Sequence, residues 1–511
     1  MKKTRNIFQY ILLILCFIGI IFLVDTQNKI DKDNDVISNI KVHTKDESIE
    51  ISWNVPSKTN ITNTIIEIKD INGNIVDSYT IKANKESFIY KDGEINNCYL
   101  ITLSTSYKDG SIREIETNKR LYLDLDNLPD LPIMYIDTKS GDDPTAEYLT
   151  FNGPTTSINN DYEEASMNYI AFGNNINSKL KIKIRGNGTS TKDKKPYKIV
   201  LDNPLDLTNS GKNYSHSEWI LLNTGDTLNN FLGETISSKS NVEWVTHGIY
   251  INLILNGDYK GIYTLMEPVS QSTSRGLVDE DGTIFENDLF YWNCNGIYFR
   301  LNNQLQYMAY TFKYPKMSSQ KDVRLTEVHE YLQEFVDLLE ANDEEAWDYA
   351  DLDNFTSYMI AKDLILDGDT NGSNMYYYVK DFYSDNKTKI KAGPLWDFEK
   401  LARAEYSGEK YKNNNYSPQH STERLPFVDN KEFIEAYFDK WEDLSVDILD
   451  NIYSSLDDLY NKQGEAINES RYLNSLRWSD GSYEAIEDEI SLAKDWLGRQ
   501  VEFLNNEMEN R

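Results

Sequence analysis

The sequence is poor in cysteine and histidine. It has three cysteines, Cys16, Cys98 and Cys294, which stand far apart, and five scattered histidines. No Cys-x-x-Cys pair or Cys/His cluster is present, so a structural zinc site and a disulfide framework are both unsupported. Because the histidines do not cluster, a catalytic dyad built on histidine has equally little support.

Basic residues are also fewer than acidic ones. The chain has 52 Lys and Arg residues against 83 Asp and Glu residues, a net charge of −31. Such a surface repels phosphate backbones, so we expect no nucleic-acid partner. The 511 residues are enough for two or three domains and at least one sizeable core.

One long apolar run stands near the N-terminus. Ile7–Val24 is uncharged and follows residues 1–6, which carry three basic side chains. A helix of this length, at about 1.5 Å per residue, comes close to spanning a hydrocarbon core. The alternatives are a transmembrane anchor and a cleaved signal segment. We favour the anchor because no small-x-small cleavage site follows. It predicts a single-pass membrane protein with residues 1–6 in the cytoplasm, the bulk of the chain outside it, and a linker over 25–38.

Short alternating runs fill residues 39–123. A hairpin is indicated at Asn72-Gly73, and no helical pattern separates the runs. This spacing predicts an all-β sandwich. The stretch resembles a fibronectin type III domain, with Trp53 at the position of that family's early core tryptophan and Tyr99 at that of its tyrosine corner. The resemblance implies a spacer or binding module with no chemistry of its own.

A second domain is predicted after the proline-containing junction 125–138. Strand patterns come first, including a hairpin about Asn256-Gly257. Helical spacing follows from near Lys321, from about Leu352 to Leu366, and again after Lys431. Strands first and helices after indicate an α+β domain with a helical C-terminal part.

Two segments of this domain carry candidate phosphate-binding residues. The sequence "RGNGTS", beginning at Arg185, ends a strand with a glycine-rich turn that can point backbone N–H groups at an anion. Lys198 lies on the next strand, on the face opposite Tyr197 and Ile199, where a lysine can neutralise nucleotide phosphates. An ordinary glycine turn and a solvated lysine remain the alternatives.

Glu267 is the only charged residue between Gly261 and Val269. A carboxylate that ends an apolar strand needs a partner if it is buried, because an unpaired buried charge is expensive. Lys198 is a candidate partner. An exposed glutamate at the end of the strand is the alternative.

The candidate metal site comes from two later segments. Asp369 and Asn374 have the Asp-x-x-x-x-Asn spacing. In the catalytic loop of protein kinases, the Asp of this spacing accepts the proton of the substrate hydroxyl and the Asn holds Mg²⁺. Asp397 stands between Trp396 and Phe398, which we expect to hold its carboxylate inward. The strands between these segments predict a hairpin that brings both ends together. A calcium loop is a second interpretation of "DGDTNGSN", but its last ligand position holds Tyr378, and a plain polar turn is a third.

These pieces together resemble the CotH family of atypical kinases, over about Leu131 to Met508. The resemblance implies a kinase-like fold that moves phosphate from ATP to Ser or Thr of a coat or cell-surface protein, with Mg²⁺, Mn²⁺ or Ca²⁺. It is carried by the following motifs: "LPIMYIDT", "RGNGTS" with "KKPYKIVL", "WILLNTGDTLNNFL", "NGDYKGIYTLMEPV", "DGDTNGSNMYYYVKD" and "GPLWDFE".

The resemblance also implies residue roles. Asp369 is the catalytic carboxylate, and Asn374 and Asp397 are the metal ligands. The cofactor-binding residues are Arg185, Lys198 and Glu267.

The chain departs from the family pattern at two places. Glu399 stands where the family usually has a second Asp, and Asn229 and Asn230 occupy an area where it commonly has an arginine. The alternative function is therefore a non-catalytic coat or cell-surface binding protein that keeps a degenerate kinase-like domain.

Overall fold

The computed structural model describes residues 37–55, 60–150, 156–186, 188–288, 297–302, 309–366, 374–385, 387–402 and 430–510. The chain forms two compact units. The first comprises Met1–Leu128, Gly257–Tyr259 and Leu476–Gly481, and the second comprises the remainder.

Two antiparallel sheets make up the N-terminal part of the first unit. One has the order β1-β2-β5, and the other has the order β4-β3-β6-β7, with β8 also paired to β6. The strands are β1 Ser38–Lys45, β2 Ser48–Asn54, β3 Ile61–Lys69, β4 Ile75–Lys82, β5 Ser87–Tyr90, β6 Asn97–Tyr107, β7 Ile112–Glu116 and β8 Arg120–Tyr122.

Alternating side chains from both sheets form one core. Trp53 and Tyr99 are 3% and 4% exposed and belong to the same apolar cluster. The Tyr99 hydroxyl accepts a hydrogen bond from the Glu94 N–H at 2.9 Å, which ties the start of β6 to the loop before it. The alternating runs correspond to strands, and β3 shows the pattern: Thr64, Ile66 and Ile68 are buried and the residues between them are not.

The second unit begins with a closed barrel. Its strands follow the order β12-β13-β14-β15-β17-β16-β9, and β9 pairs with β16 in parallel. The remaining strands are β9 Ile133–Thr138, β10 Glu147–Thr150, β11 Thr156–Asn159, β12 Glu163–Ala171, β13 Asn174–Ile184, β14 Tyr197–Leu205, β15 His216–Leu222, β16 Gly248–Leu255, β17 Asp258–Met266, β18 Thr283–Asn287, β19 Tyr310–Tyr314, β20 Met375–Val379 and β21 Lys391–Leu395.

Besides the barrel, the described residues after 128 form a four-stranded sheet, the two-stranded pair β10-β11 and seven helices. The sheet has the order β19-β18-β20-β21, and a separate apolar core joins it to the helices. The helices are α1 Asn229–Lys239, α2 Val323–Glu340, α3 Ala346–Tyr349, α4 Leu352–Ile365, α5 Lys431–Ser445, α6 Ile448–Trp478 and α7 Ile486–Glu509. The helical C-terminal part agrees with the sequence pattern, but the predicted order of strands first and helices after is wrong: α1 lies between β15 and β16, and β20 and β21 follow α4.

Side-chain caps start three of these helices. Asp322 accepts from the Arg324 N–H at 3.2 Å before α2, Asp351 accepts from the Asn354 N–H at 3.0 Å before α4, and Asn430 accepts from the Phe433 N–H at 2.9 Å before α5. Each cap satisfies a backbone donor that has no partner inside the helix.

The predicted fold class and localisation need a correction. In the part of the chain that the structure describes, no helix has both the length and the apolar character needed to cross a membrane. Even α6, with 31 residues, carries charged side chains along its length. The predicted transmembrane helix is therefore not part of the observed fold, and the prediction of a single-pass membrane protein is wrong on this finding. The run 7–24 itself lies outside the described residues.

Candidate active site

The hairpin of β20 and β21 brings two candidate metal ligands together. Met375 at the start of β20 pairs with Leu395 at the end of β21. Asn374 and Asp397, the residues just beyond this pair, therefore lie side by side, with Asn374 Nδ2 3.5 Å from Asp397 Oδ2. The predicted hairpin is confirmed. Asp369, the predicted catalytic residue, lies outside the described residues, as does most of the segment considered as a calcium loop.

Both residues have left-handed backbone conformations. Asn374 has φ of 60° and Asp397 has φ of 65°, and such residues cost on the order of 1 kcal/mol or more, although Asn and Asp tolerate this region best. Trp396 and Phe398 are buried, whereas Asp397 is exposed. The expectation of an inward carboxylate was wrong, because the two aromatic rings occupy the core positions and turn Asp397 towards the surface.

The Phe398 ring packs against helix α1 at Gly233. A Cβ added to Gly233 would lie 2.3 Å from a carbon of the Phe398 ring. Asn229, at the start of the same helix, donates from Nδ2 to the Glu399 carbonyl at 3.1 Å. Helix α1 therefore supports the turn that carries Asp397.

Acidic residues of β18 and the residue after it lie next to this turn. The Asn374 N–H donates to Glu286 Oε1 at 3.3 Å, and Lys313 lies 2.6 Å from the other oxygen of Glu286. Burial raises the pKa of the Tyr376 hydroxyl well above its ordinary value, with Glu286, Asp397 and Asp288 adding to the rise and Arg185 opposing it. Arg185 and Asp397 are thus within electrostatic range of the same side chain.

The glycine-rich segment also reaches the Asp397 turn. The Arg185 N–H donates to the Pro196 carbonyl at 3.0 Å, which closes the segment into a loop. Within that loop, Lys192 lies 2.7 Å from Glu399 Oε1. The Glu399 carboxylate therefore already forms an ion pair.

The structure places Lys198 on the outer face of the barrel. Tyr197 and Ile199 face the barrel core, as the strand pattern predicted. Lys198 stands directly opposite Lys183 in the β13–β14 register and forms an ion pair with Glu218 at 2.9 Å. Its partner is thus Glu218 and not Glu267.

Glu267 belongs to a buried polar network. It is 1% exposed, and one carboxylate oxygen lies 2.6 Å from His216 Nε2 and 3.3 Å from Arg275 Nε. The other oxygen accepts from the His247 N–H at 2.9 Å. The sequence missed this network, because its two histidines and its arginine come from separate segments and share no motif.

Lys194 is a second residue that the sequence did not single out. Its side chain is 10% exposed, and Nζ donates to the Ile262 carbonyl at 2.7 Å. Burial lowers the pKa of Lys194 to about 8, which the negative charge of Asp226 partly opposes. The signal was available in "DKKPYKIV", where Lys194 precedes the apolar strand, but the pattern does not tell which of the lysines is buried.

The donor set at Asn374 and Asp397 fits a shared magnesium site. Within the described ranges, no group of three or more His, Cys, Asp or Glu side chains is placed to hold a metal ion by itself. Mg²⁺ in phosphate-transferring sites needs only one or two carboxylate or amide oxygens, because the remaining ligands are phosphates and water. Asn374 and Asp397 supply oxygens of this type, so they suit a metal that arrives with a nucleotide.

Comparisons with known proteins identify a family and show a likeness to solved structures. A search of the curated proteins found no match. The kinase region of twitchin from C. elegans (Fn31-NL-kin-CRD-Ig26) is 11% identical over 55% of this chain and 49% of that chain, with a TM-score of 0.18. This chain thus spans about half of that structure, and a likeness with so low a TM-score carries no argument about fold or function.

A family model described as CotH kinase protein matches residues 182–504. The match does not include 39–123, so the fibronectin type III resemblance remains a prediction. It does include the glycine-rich loop, the barrel strands β14–β17, the hairpin that carries Asn374 and Asp397, and most of the C-terminal helices. Since this is more than half of the sequence, the chain belongs to the CotH family.

Proposed function

We propose that this protein is an active kinase that transfers phosphate from Mg-ATP to a Ser or Thr hydroxyl of a protein substrate. The observation that carries the proposal is the contact between Asn374 and Asp397, 3.5 Å apart at the end of one hairpin, within a domain of the CotH family. The substrate class implied by the resemblance is a coat or cell-surface protein.

Each residue near the hairpin has a proposed role. Asn374 and Asp397 hold Mg²⁺, with Mn²⁺ or Ca²⁺ as alternatives, and the metal ion neutralises charge on the transferred phosphoryl group. Arg185, which acts electrostatically on the same Tyr376 hydroxyl as Asp397, supplies positive charge for the same phosphates. Asp369 is proposed to accept the proton of the substrate hydroxyl.

Lys198 and Glu267 have less direct roles in this proposal. Lys198 would have to exchange its ion pair with Glu218 for a phosphate contact, because the two groups are 2.9 Å apart. Glu267 is enclosed by His216, Arg275 and the His247 N–H. We therefore assign Glu267 to the support of the site and not to contact with nucleotide.

A second candidate function is binding without phosphate transfer. It is favoured by the ion pair between Lys192 and Glu399 at 2.7 Å, since a carboxylate held by lysine is less available to a second metal ion. The same domain would then bind a nucleotide or a partner protein without turnover.

Labelled ATP, Mg²⁺ and casein as a generic acceptor test the proposal on the full chain. We expect Asp397→Asn to reduce transfer by about a hundredfold or more, the loss typical of removing one electrostatic contact to the transition state. Asp439→Asn, an exposed change on α5, is the matched control and should retain wild-type transfer.

Two results would contradict the kinase proposal. One is transfer by Asp397→Asn at the wild-type rate. The other is no transfer by wild type together with a thermal shift on addition of Mg-ATP, which would favour the binding function.

A further inference from the structure

Helix α1 contacts the Asp397 turn with one side. Asn229 donates to the Glu399 carbonyl at 3.1 Å, and the absence of a side chain at Gly233 admits the Phe398 ring. The position of Asp397 therefore depends on where α1 lies, because a shift of the helix would move the surface against which Phe398 packs.

The residue after Gly233 fixes the helix to the start of β16. Glu234 Oε2 accepts a hydrogen bond from the Gly248 N–H at 2.9 Å, and its other oxygen contacts His247 Nδ1. The second ring nitrogen of His247 lies 3.0 Å from the Tyr214 hydroxyl. One carboxylate on α1 thus meets a backbone donor and a histidine that is itself held from the far side.

His247 is surrounded by charged groups from three parts of the chain. Glu234 approaches from α1, Glu267 follows β17 and accepts from the His247 N–H at 2.9 Å, and Arg275 lies beyond Glu267 at 3.3 Å. Burial by itself lowers the pKa of His247, and Arg275 lowers it further. The hydrogen bond and the negative charges of Glu234 and Glu267 outweigh both, so the pKa is raised above 6.5.

We propose that Glu234 and His247 are positioning residues for the metal site: their ion pair fixes α1, and α1 fixes Asp397 through Phe398. The role of Asp397 as a metal ligand rests on the proposed function. The mechanical coupling between the ion pair and the Asp397 turn does not, so the two can be tested separately.

The coupling has a direction with pH. Below its raised pKa, His247 is protonated and forms a charge-assisted hydrogen bond with Glu234. As the pH rises through that pKa, the charge is lost and the contact weakens. Order in the 396–400 turn should therefore decrease above the pKa of His247, although none of those residues contacts the histidine.

Hydrogen exchange on the full chain, without nucleotide, tests this coupling. The measured quantity is the protection factor of peptides covering 396–400 and α1, corrected for the intrinsic pH dependence of exchange, from about pH 5.5 to 8.5. In wild type we expect protection of both peptides to fall by about fivefold across the titration, the difference expected between a charge-assisted and a neutral hydrogen bond.

Glu234→Gln separates the charge from the packing. Its amide oxygen still accepts from Gly248, so the fold should persist, but protection of 396–400 should be lower at acidic pH and no longer change with pH. Glu234→Ala should lower it further. Asp457→Asn, which removes an ion pair with Lys494 at 2.6 Å between α6 and α7, is the matched control and should leave the 396–400 peptide unchanged.

Unchanged protection of 396–400 in Glu234→Gln, or a wild-type profile without pH dependence, would overturn the proposal. A lowered protection in the control variant equal to that in Glu234→Gln would do the same.

In the transfer assay we expect Glu234→Gln to lower kcat more than it raises KM for ATP. If wild type transfers no phosphate, the exchange data still decide the coupling while the kinase proposal fails.

Discussion

If Arg185 acts at the Asp397 site, its charge should affect metal binding and nucleotide binding in opposite directions. Arg185 lies within electrostatic range of Tyr376 together with Asp397, Glu286 and Asp288. Removing its charge leaves the carboxylates less compensated, so Arg185→Gln should bind Mn²⁺ alone about threefold more tightly and metal-free ATP about threefold more weakly. Calorimetric titration of the full chain with each ligand measures both affinities.

Arg499→Gln is the matched control for this prediction. Its guanidinium pairs with Asp495 within α7 and is about half exposed, so the variant makes the same change in net charge. If both affinities of Arg185→Gln move in the same direction, or if Arg499→Gln reproduces the pattern, Arg185 does not act at the Asp397 site.

Lys194 gives a residue-scale prediction about stability. Its pKa in the folded protein is about 8, against an ordinary value of 10.5. Between these values the unfolded chain binds a proton that the folded chain does not, so folded stability must rise with pH. The free energy of unfolding of wild type minus that of Lys194→Met should increase by about 1 kcal/mol per pH unit between about pH 8 and 10.

Urea unfolding at a series of pH values measures that difference, and subtraction removes the contribution of groups common to both proteins. Lys462→Met removes an ammonium that is 71% exposed and should give a difference that does not change with pH. A flat difference for Lys194→Met would mean that its ammonium remains charged in the folded state, held by Asp226.

At the scale of elements, adding one methyl group to α1 at Gly233 tests the packing of the Phe398 ring against that helix. Gly233→Ala should gain up to about 1 kcal/mol in helix propensity, yet its Cβ would lie 2.3 Å from the buried Phe398 ring. We therefore expect a net loss of about 1–3 kcal/mol from overpacking, together with loss of phosphate transfer. Urea unfolding and the transfer assay measure the two effects.

Gly498→Ala on α7 is the matched control. The nearest atom to a Cβ at that position is the Tyr453 hydroxyl, 3.3 Å away, so a small adjustment accommodates it and transfer should be retained. If Gly233→Ala is as stable and as active as wild type, the Phe398 ring can move without disturbing Asp397, and α1 does not position the site.

Local sequence patterns predicted the strands that carry the site, but not the side-chain contacts that fix those strands in place. The alternation in "YKIVL" and the strand runs on each side of residues 380–390 were sufficient to place Lys198 outward and to join Asn374 with Asp397. The contacts of Gly233 with Phe398, and of Glu267 with His216 and Arg275, join segments far apart in sequence. No period or spacing encodes such contacts, so these partners required the fold.

For the whole molecule, the helical C-terminal part was predictable from the sequence, and the closure of the barrel was not. Closure depends on the parallel pairing of β9 with β16, and more than a hundred residues separate Ile133 from Asn252 in that register. A pairing at this sequence separation leaves no local pattern, because parallel strands are joined by a long crossover and not by a short turn with a sequence signature.

The net charge of −31 gives a prediction for the whole chain. Like charges repel in the compact state, and salt screens that repulsion, with a Debye length that falls from about 30 Å at 0.01 M to about 8 Å at 0.15 M. The unfolding midpoint should therefore rise between these salt concentrations. Thermal unfolding scans in NaCl and in KCl at equal ionic strength measure the shift of the midpoint, and screening requires the two salts to give the same shift.

A midpoint that falls with salt would mean that exposed ion pairs, which salt also weakens, stabilise the fold by more than the repulsion destabilises it. The Arg471–Glu489 pair would not account for such a fall, because its side chains are 1% and 4% exposed and buried pairs are screened much less.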